Sequence, residues 1–409
     1  MTLVENAKEL NECLCCGSTN LALTLDLNEQ PLANSYLKDI NEPEPTFPLA
    51  LNRCKECSHL QLSHAVNPDL LFKNYLYVSG TSKTLLEYFK WFAEYNISEF
   101  NKRNGRKPNS VLEIACNDGT QLNVYKDMGL TTYGVDPATN LHVLSSKEHE
   151  VVCDYFKQEH VELFKDRVDI ISAQNVLAHN SYPLEFLKQC RDIMRDDSVL
   201  FIQTSQADMV KENQFDTVYH EHISFFNVNS MNELAKRAGL YLLDVRKTPI
   251  HGNSYVFMFS KVPGDDSTVQ QVLAEERAFG LQNTATYEEY TRRCLQVVKD
   301  LDSAILAHRT LGFKVVGYGA AAKGNTLLNF GKFNLDFIID DNPLKHSLYT
   351  PGMHIPIKSI DALDELQDET IAFVPLAWNF FDEIKRNIKN KRDNSEDVFV
   401  RYFPTINIE

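Results

Sequence analysis

The stretch Val111-Leu-Glu-Ile-Ala-Cys-Asn-Asp-Gly-Thr120 decides the fold of the central part of this chain. Its apolar first half has the length and residue types of a buried β-strand, and its second half ends in small residues that let the backbone approach a ligand closely. From Ser110 onward, short apolar segments alternate with longer helical ones, which is typical of a doubly wound parallel sheet. We therefore expect a nucleotide-binding α/β domain here.

Seven strands are predicted from this alternation, and the last two could pair as an antiparallel hairpin at the edge of the sheet. The predicted strands lie near Val111–Ala115, Thr132–Val135, Glu150–Val152, Val168–Ala173, Val199–Thr204, Tyr241–Arg246 and Tyr255–Lys261. Seven strands in this rhythm suit the methyltransferase type of Rossmann fold better than the six-stranded dehydrogenase sheet.

The loops after the first, second and fourth strands carry the candidate cofactor site. Asp136 follows the second strand, and an acid at that place can accept two hydrogen bonds from ribose hydroxyls. The alternative is a surface acid that opens a turn. The residues expected to bind a nucleoside-bearing cofactor are Glu113, Asn117, Asp118, Gly119, Asp136, Gln174 and Asn175. All of them fall where the ligand crevice of such a sheet opens.

Two Cys-x-x-Cys pairs, Cys13/Cys16 and Cys54/Cys57, precede this domain and are separated by 37 residues. Four thiolates complete a tetrahedral Zn²⁺ site and leave no open position for water, so the pattern favours structural zinc over catalytic zinc. Cys15 offers a third thiol in the first cluster and could compete as a ligand. Buried or redox-active cysteines are the alternative.

A cluster of titratable groups, Tyr219-His220-Glu221-His222, follows the fifth predicted strand, and His179 follows the fourth. Such groups are costly to desolvate without a purpose, although a lone histidine is more often a cap or core residue. His-Glu-His lacks the spacing of a zincin metal site. The cluster therefore favours acid–base chemistry over metal binding.

Two further polar loops are candidates for substrate binding. His251-Gly-Asn-Ser254 opens the seventh strand, and Gly317–Thr326 joins a strand to a helix whose free N–H groups could cradle an anion. The first loop could equally be a simple hairpin entry. The second fits G-x-G-x-x-[G/A] with Asp340 further on, so an NAD site is the main competing hypothesis. The residues expected to contact substrate are His251, Asn253, Gly319, Lys323 and Asn325.

The last third of the sequence predicts one or two long helices over Thr268–Leu311, followed by a second α/β unit. Its strands are expected near Lys314–Tyr318, Phe337–Asp340, Thr370–Pro375 and Asp397–Tyr402. Four strands are too few for a complete dinucleotide domain, but they are enough for half of one.

Composition limits the remaining possibilities. The 409 residues, with 43% hydrophobic and 24% charged, suit an ordinary globular protein of two or three domains. A formal charge of −15 argues against nucleic acid and anionic membranes as partners. There is no apolar run of eighteen residues and no signal-like N-terminus, so we expect a cytoplasmic protein whose nine cysteines are reduced.

Taken together, these motifs resemble the zinc-containing sugar C-methyltransferases that act on nucleotide-linked keto-deoxysugars, such as those that make tetronitrose. Besides the cysteine pairs, the motifs are Tyr-x-Tyr-x-Ser-Gly-Thr-Ser at 75–82, Glu-Ile-Ala-Cys-Asn-Asp-Gly-Thr at 113–120, Asn-Val-Leu-Ala-His at 175–179, Tyr-His-Glu-His at 219–222, His-Gly-Asn-Ser at 251–254, and Gly-Tyr-Gly-Ala-Ala-Ala-Lys-Gly-Asn-Thr at 317–326. They occur in the family's order and cover nearly the whole chain. Asn253 departs from the family, in which a second glycine is commoner.

The resemblance implies an enzyme with a zinc-binding module at 1–72, an S-adenosylmethionine-binding methyltransferase domain at 73–262 and a C-terminal α/β domain at 263–409. The C-terminal domain would bind the sugar nucleotide, and its glycine loop would face nucleotide or sugar oxygens instead of a dinucleotide. An NAD-dependent nucleotide-sugar oxidoreductase and a non-enzymatic sugar-nucleotide-binding protein are kept as alternative functions. The oligomeric state is not predicted, and a monomer is compatible with the sequence.

The chemistry expected from the resemblance is methylation of a sugar carbon beside a ketone, with C3 of a 4-keto sugar favoured. A base removes the acidic proton, and the enolate carbon attacks the sulfonium methyl group. His222 is the expected base, since an imidazole pKa near ~6.5 suits this step. Glu221 would orient His222 or hold a substrate hydroxyl. Tyr219, Tyr77 and His179 would donate hydrogen bonds to the enolate oxygen or to flanking hydroxyls.

Overall fold

The computed structural model describes residues 6–72, 83–205 and 208–409 of the chain. Its strands are β1 (Ala7–Glu9), β2 (Leu21–Pro31), β3 (Thr46–Cys54), β4 (Leu60–Leu62), β5 (His64–Val66), β6 (Ser110–Ile114), β7 (Thr131–Val135), β8 (Glu150–Val152), β9 (Ile170–Gln174), β10 (Val199–Ser205), β11 (Ser224–Phe225), β12 (Tyr241–Thr248), β13 (Ser254–Ser260), β14 (Lys314–Tyr318), β15 (Phe337–Ile339), β16 (Ile357–Lys358), β17 (Ile371–Pro375), β18 (Val398–Arg401) and β19 (Asn407–Ile408).

The α-helices are α1 (Pro68–Phe72), α2 (Lys83–Asn104), α3 (Thr120–Asp127), α4 (Thr139–Ser145), α5 (Gln158–Phe164), α6 (Pro183–Ile193), α7 (Val228–Ala238), α8 (Ser267–Phe279), α9 (Thr284–Thr310), α10 (Ala322–Gly331) and α11 (Phe381–Lys391). None of the helices in the described part of the chain combines the length and apolar character needed to span a bilayer.

The central sheet has seven strands in the order β12-β13-β10-β9-β6-β7-β8. Strands β6 to β10 are parallel to their neighbours within this group, whereas β13 is antiparallel to both β10 and β12. All seven predicted strands are present, and their boundaries differ from the prediction by at most two residues. The predicted seven-stranded Rossmann fold with an antiparallel edge hairpin is therefore confirmed.

Both faces of the central sheet are covered, which explains why its strands are continuously apolar. All five residues of β6 are buried. Leu112 and Ile114 pack into the core on one face, and Val111 packs into the core on the other face, against Phe92 and Phe100 of α2. The chain order reverses between β6 and β9, so the carboxyl ends of these strands form the crevice where doubly wound sheets bind ligands.

The N-terminal module, residues 6–72, contains most of a four-stranded antiparallel sheet in the order β11-β4-β3-β2. Its outer strand β11 comes from the central part of the chain, and Ser224 pairs with Gln61 in β4. The segment just before β11 is the predicted catalytic cluster, Tyr219–His222. This pairing therefore fixes the cluster between the module and the central sheet.

The C-terminal domain, formed by β14–β19 with α10 and α11, has a six-stranded sheet in the order β16-β15-β14-β17-β18-β19. All four predicted strands are present, and the predicted long helical region is the pair α8 and α9. The two strands that were not predicted, β16 and β19, have two residues each, too few to show a periodic pattern. The second α/β unit is thus confirmed.

One hydrophobic core joins parts of the chain that are far apart in sequence. Leu51 of β3, Leu301 of α9 and Val374 of β17 belong to the same buried cluster. Arg53 of the N-terminal module also donates hydrogen bonds to the Gln282 carbonyl and to the Thr284 hydroxyl, at 3.2 and 2.9 Å. The N-terminal module is therefore packed against the C-terminal part of the chain as well as against the central sheet.

Candidate active site

A cavity of about 390 Å³ opens at the carboxyl ends of β6, β7 and β9. Six of the seven predicted cofactor residues line it: Glu113, Asn117, Asp118, Asp136, Gln174 and Asn175. His179 and His251, predicted for catalysis and substrate binding, lie on its wall as well. Side chains from the loops that follow three strands, and from the loop that precedes β13, therefore surround one cavity.

Asp136 is held rigidly at the end of β7. Its Oδ2 accepts a hydrogen bond from the Asn117 N–H at 2.9 Å, and its Oδ1 accepts one from the Ala138 N–H at 2.8 Å. The side chain is buried, and burial raises its pKa. Each carboxylate oxygen keeps a further lone pair, so Asp136 can still accept hydrogen bonds from ligand hydroxyls.

Glu113 presents an unsatisfied acceptor at the wall of the cavity. Its Oε1 accepts a hydrogen bond from Gln174 Nε2 at 3.1 Å, whereas its Oε2 has no hydrogen-bond partner among the described residues. Burial raises the pKa of Glu113 well above its usual value. A buried orphan oxygen is costly, so this position suits a ligand that brings a donor, above all a cationic amino group.

Gly119 is not among the residues that line the cavity, but it shapes the loop that does. It adopts φ 82° directly before α3, and a Cβ there would lie 3.1 Å from Ser145 Cα. The left-handed backbone and the close contact both disfavour any other residue. Gly119 thus permits the sharp turn that carries Asn117 and Asp118.

The sequence analysis missed the aromatic part of the cavity wall. Tyr88 and Phe89 come from α2, and Tyr155, Phe156 and Tyr182 come from loops on the other side. The aromatic richness of residues 70–100 was the available signal, but no pattern related it to a ligand. These rings add apolar surface to a cavity that polar side chains also line, which is typical of sites for cofactors with a flat base.

His222 lies within the predicted catalytic cluster, and its hydrogen bonds determine which ring nitrogen is basic. Nδ1 is 2.9 Å from the Thr217 carbonyl oxygen, which can only accept, so the proton resides on Nδ1. Nε2 is 2.8 Å from the Tyr219 hydroxyl and accepts its hydrogen bond. The lone pair of Nε2 is therefore the basic site of the ring.

Burial lowers the pKa of each imidazole in this cluster, which favours the neutral form. Burial, followed by the neighbouring His179, lowers the pKa of His222 well below its usual value, so the ordinary imidazole pKa expected from the sequence is not retained. Burial lowers the pKa of His179 to about 4, against the weaker opposing effect of a hydrogen bond with the Glu221 backbone. The centroids of the His179 and His222 rings are 4.9 Å apart. His179 lines the cavity, so His222 packs against a residue of the cavity wall.

Glu221 contacts a residue of the N-terminal module that the sequence analysis did not single out. Asn34 Nδ2 donates to Glu221 Oε1 at 2.6 Å, and burial raises the pKa of Glu221 to about 7. The group that orients the His222 ring is the Thr217 carbonyl and not the Glu221 carboxyl. A contact between Glu221 and a substrate hydroxyl remains a prediction. Tyr77, the other predicted catalytic residue, lies outside the described residues.

Lys323 is a contact between the C-terminal domain and the central domain. Its Nζ donates to the His251 carbonyl oxygen at 3.1 Å and lies 5.0 Å from the centroid of the Trp378 ring. Burial lowers the pKa of Lys323, and the nearby Asp216 carboxylate opposes this effect. The sequence had placed Lys323 and His251 in separate loops, and the structure brings them into contact.

Three other predicted substrate residues have structural contacts of their own. Asn253 Nδ2 donates to both carboxylate oxygens of Glu212, at 3.2 and 3.1 Å, and Asn325 Nδ2 donates to the Ala33 carbonyl at 2.7 Å. Gly319 has φ 88°, and a Cβ there would lie 2.7 Å from the Ala377 Cβ. The roles of these three residues in substrate binding remain predictions.

Asp340 bears on the competing NAD hypothesis. Its Oδ2 accepts from the Ala320 N–H at 2.7 Å and lies 3.4 Å from Lys345 Nζ, and its Oδ1 accepts from the Asn342 N–H at 2.9 Å. Asp340 thus accepts from two backbone N–H groups, as Asp136 does, and also faces a lysine ammonium. An NAD site at the Gly317–Thr326 loop stays a prediction.

The four predicted metal ligands come together in the N-terminal module. The Sγ atoms of Cys13, Cys16, Cys54 and Cys57 lie within 4.8 Å of one another, with Cys13 to Cys57 at 3.5 Å and Cys16 to Cys54 at 3.4 Å. A tetrahedral zinc site with Zn–S bonds of about 2.3 Å needs sulfur atoms about 3.8 Å apart, so the four thiols fit this metal. Cys15 is buried but is not part of this cluster.

Family models match three consecutive parts of the chain. They are described as a putative zinc-binding domain over residues 13–72, a methyltransferase domain over 88–245 and a C-methyltransferase C-terminal domain over 249–404. The C-methyltransferase NovU of Streptomyces niveus is 29% identical over 404 residues, which are 95% of this chain and 94% of the relative.

Other matches are limited to part of the chain. A ubiquinone biosynthesis O-methyltransferase of Histophilus somni is 29% identical over 111 residues, covering 25% of this chain and 47% of the relative. Among solved structures, the plantazolicin methyltransferase BpumL in complex with an analog and SAH is 14% identical, with a TM-score of 0.36, and covers 44% of this chain and 86% of its own.

Proposed function

Because this chain belongs to the zinc-containing C-methyltransferases that depend on S-adenosylmethionine, we propose that it methylates a carbon atom of a nucleotide-linked keto-deoxysugar. The predicted family, the methyltransferase class and both predicted cofactors, S-adenosylmethionine and structural zinc, are confirmed by the matched family models and the four-cysteine cluster. The sugar nucleotide, the methylated carbon, the domain boundaries and the roles of individual residues are proposals. We propose C3 of a 4-keto sugar as the acceptor.

The observation that carries the proposed acceptor chemistry is the hydrogen-bonded pair of buried His222 and partly buried Tyr219 beside the cofactor cavity. A sugar carbon becomes nucleophilic only when an adjacent ketone lets a base remove its proton. The neutral imidazole with its basic Nε2 supplies that base, and the Tyr219 hydroxyl, 2.8 Å away, supplies a donor for the enolate oxygen. Methyl transfer to an oxygen that is already acidic would not need this arrangement.

The proposed proton transfer follows from these contacts. Nε2 of His222 receives the proton from the carbon beside the ketone, and the Tyr219 hydroxyl turns from Nε2 to the developing enolate oxygen. The Thr217 carbonyl stabilises the resulting imidazolium, because the Nδ1–H···O hydrogen bond strengthens when the ring becomes charged. His179, whose ring is 4.9 Å from His222, would contact a flanking hydroxyl of the substrate.

S-adenosylmethionine, when bound, supplies an electrophilic methyl group on a sulfonium. We propose that Asp136 accepts hydrogen bonds from its ribose hydroxyls and that Glu113, through the unsatisfied Oε2, accepts from its amino group. Asn117, Asp118, Gln174 and Asn175 complete the polar part of the cavity. These residues align the donor with the carbon nucleophile, and such positioning supplies much of the rate in a two-substrate transfer.

The nucleotide part of the substrate would bind on the C-terminal side. Lys323, near the start of α10, offers a cation, and the first turn of this helix offers free backbone N–H groups. Together these groups suit a phosphate. Glu221 and Asn34 would contact sugar hydroxyls. We also propose a cytoplasmic location, because zinc-binding thiolates persist in a reducing compartment.

The proposed function is tested first by titrating the purified protein separately with S-adenosylmethionine and with NAD⁺ in a calorimeter. We expect saturable binding of S-adenosylmethionine alone. Incubation with S-adenosylmethionine and a panel of nucleotide-linked 4-keto-deoxysugars should then yield a product that carries one additional methyl group by mass spectrometry. Binding of NAD⁺ alone would favour an oxidoreductase, and cofactor binding without turnover on any keto sugar would contradict the proposed acceptor.

Replacing Asp136 with asparagine is expected to weaken S-adenosylmethionine binding by about tenfold to 100-fold, because charge-assisted hydrogen bonds to ribose are lost. Asp127→Asn makes the same change of charge at an exposed position of α3 and should bind normally. Calorimetry measures both affinities, and circular dichroism checks that Asp136→Asn is folded. Equal affinities in the two folded variants would remove Asp136 from the cofactor site.

A further inference from the structure

The short 3-10 turn Phe215–Thr217 lies between the central domain and the C-terminal domain. The Thr217 carbonyl accepts the Nδ1–H hydrogen bond of His222 at 2.9 Å. The residues on either side of Thr217, Asp216 and Val218, are both hydrogen-bonded to side chains of the C-terminal domain. The carbonyl that binds His222 is thus anchored from two points outside its own domain.

The first anchor is Trp378, which lies just after β17. Its Nε1–H donates to Asp216 Oδ2 at 2.7 Å, and the Asp216 side chain is fully buried. The Trp378 ring is packed edge-on against Phe403, with centroids 5.3 Å apart. On its other side, a Cβ added to Gly252 would lie 2.8 Å from Trp378, so the indole has little freedom to move.

The second anchor is Thr326, in the second turn of α10. Its hydroxyl donates to the Val218 carbonyl at 3.1 Å, and the residue is 1% exposed. The same helix also contacts the turn through Phe330, whose ring lies 5.9 Å from the ring of Phe215. Neither Thr326 nor Trp378 lines the cofactor cavity, and each has a direct hydrogen bond to the turn or to the residue that follows it.

We propose that Trp378 and Thr326 are positioning residues that keep the Thr217 carbonyl against His222 and thereby keep its proton on Nδ1. If the turn shifts, Nδ1–H loses its acceptor, and the proton can move to Nε2. The Nε2 lone pair is then no longer available to take a proton from the substrate. This proposal rests on the proposed role of His222 as the base.

The arrangement connects substrate binding with the state of the base. Thr326 lies three residues after Lys323, on the same helix whose first turn is proposed to bind the phosphate group. Trp378 also lies under the Lys323 ammonium, with Nζ 5.0 Å from the ring centroid. A change in the position of α10 would therefore alter both the proposed phosphate site at Lys323 and the tautomer of His222.

The test compares Thr326→Val and Trp378→Phe with Thr350→Val. Thr350 is a matched control, because it is a fully buried threonine of the C-terminal domain whose hydroxyl contacts only the nearby Ile355 N–H in the hydrogen bonds of the described residues. Nitrogen-15 NMR of protein labelled at histidine reports the tautomer of each ring, and loss of signals in His222→Asn assigns those of His222. We expect His222 to carry its proton only on Nδ1 in the wild type and in Thr350→Val. In Thr326→Val and Trp378→Phe, a fraction of the molecules should carry it on Nε2.

Turnover provides the second measurement. We expect kcat to fall about tenfold in Thr326→Val and Trp378→Phe, with the affinity for S-adenosylmethionine unchanged. Thr326→Ser keeps the hydroxyl and should restore both the Nδ1–H tautomer and kcat. Folded variants in which the His222 signals are those of the wild type would overturn the proposal. A tautomer change in a protein that methylates no keto sugar would leave the positioning role standing and refute the proposed function instead.

Discussion

His222→Asn is expected to reduce turnover by at least about 100-fold while leaving the affinity for S-adenosylmethionine nearly unchanged. The asparagine amide can still donate to the Thr217 carbonyl, which accepts from Nδ1 of the wild-type ring at 2.9 Å, but it offers no basic nitrogen in place of Nε2. The substitution therefore removes the base and keeps its structural hydrogen bond. Steady-state kinetics and calorimetry measure the two quantities, and His222→Ala should show a similar loss of turnover.

Tyr219→Phe and the pH dependence of the rate provide the controls. Tyr219→Phe keeps the ring that lies 4.1 Å from His222 and removes the hydroxyl, so it should slow turnover without abolishing the base. Burial, with smaller effects from His179 and Lys323, lowers the pKa of His222 well below 6.5. Protonation of His222 should therefore not reduce the wild-type rate between about pH 8 and 6.5. Wild-type turnover in His222→Asn would exclude His222 as the base.

Cys54→Ser is expected to release the zinc ion and to lower the free energy of unfolding by on the order of 5 kcal/mol. Cys54 ends β3, so the metal joins the start of the module to the strand that pairs with β2 and β4. Elemental analysis measures the zinc content, and thermal or denaturant unfolding measures the stability. A wild-type protein that is fully folded without zinc would contradict a structural role for the metal.

Cys15→Ser is the matched control for the zinc prediction. Cys15 is fully buried, as Cys54 is, but is not part of the four-thiol cluster, so this variant should keep one zinc ion per chain. Loss of zinc in Cys15→Ser would instead make Cys15 a ligand. We also expect Cys54→Ser to lose turnover, because the module carries Asn34, which donates to Glu221 at 2.6 Å.

The sequence by itself determined the parts of this protein whose signals are local. The strand Ser110–Ile114 and the other six strands of the central sheet follow from short apolar runs, because a buried strand repeats its pattern within a few residues. The zinc site follows from two Cys-x-x-Cys pairs, since each pair fixes two ligands by spacing alone. The loops that line the cavity follow from their places after parallel strands, whose carboxyl ends meet at one crevice.

Only the tertiary structure decided how the predicted catalytic cluster is held. Ser224 pairs with Gln61, Asn34 donates to Glu221, and Trp378 donates to Asp216, across 163, 187 and 162 residues of chain. No periodic pattern in the sequence encodes such contacts, because they depend on how separately folded layers pack. The basic nitrogen of His222 is likewise set by a backbone carbonyl, and every residue has one, so the sequence cannot indicate which carbonyl the ring will meet.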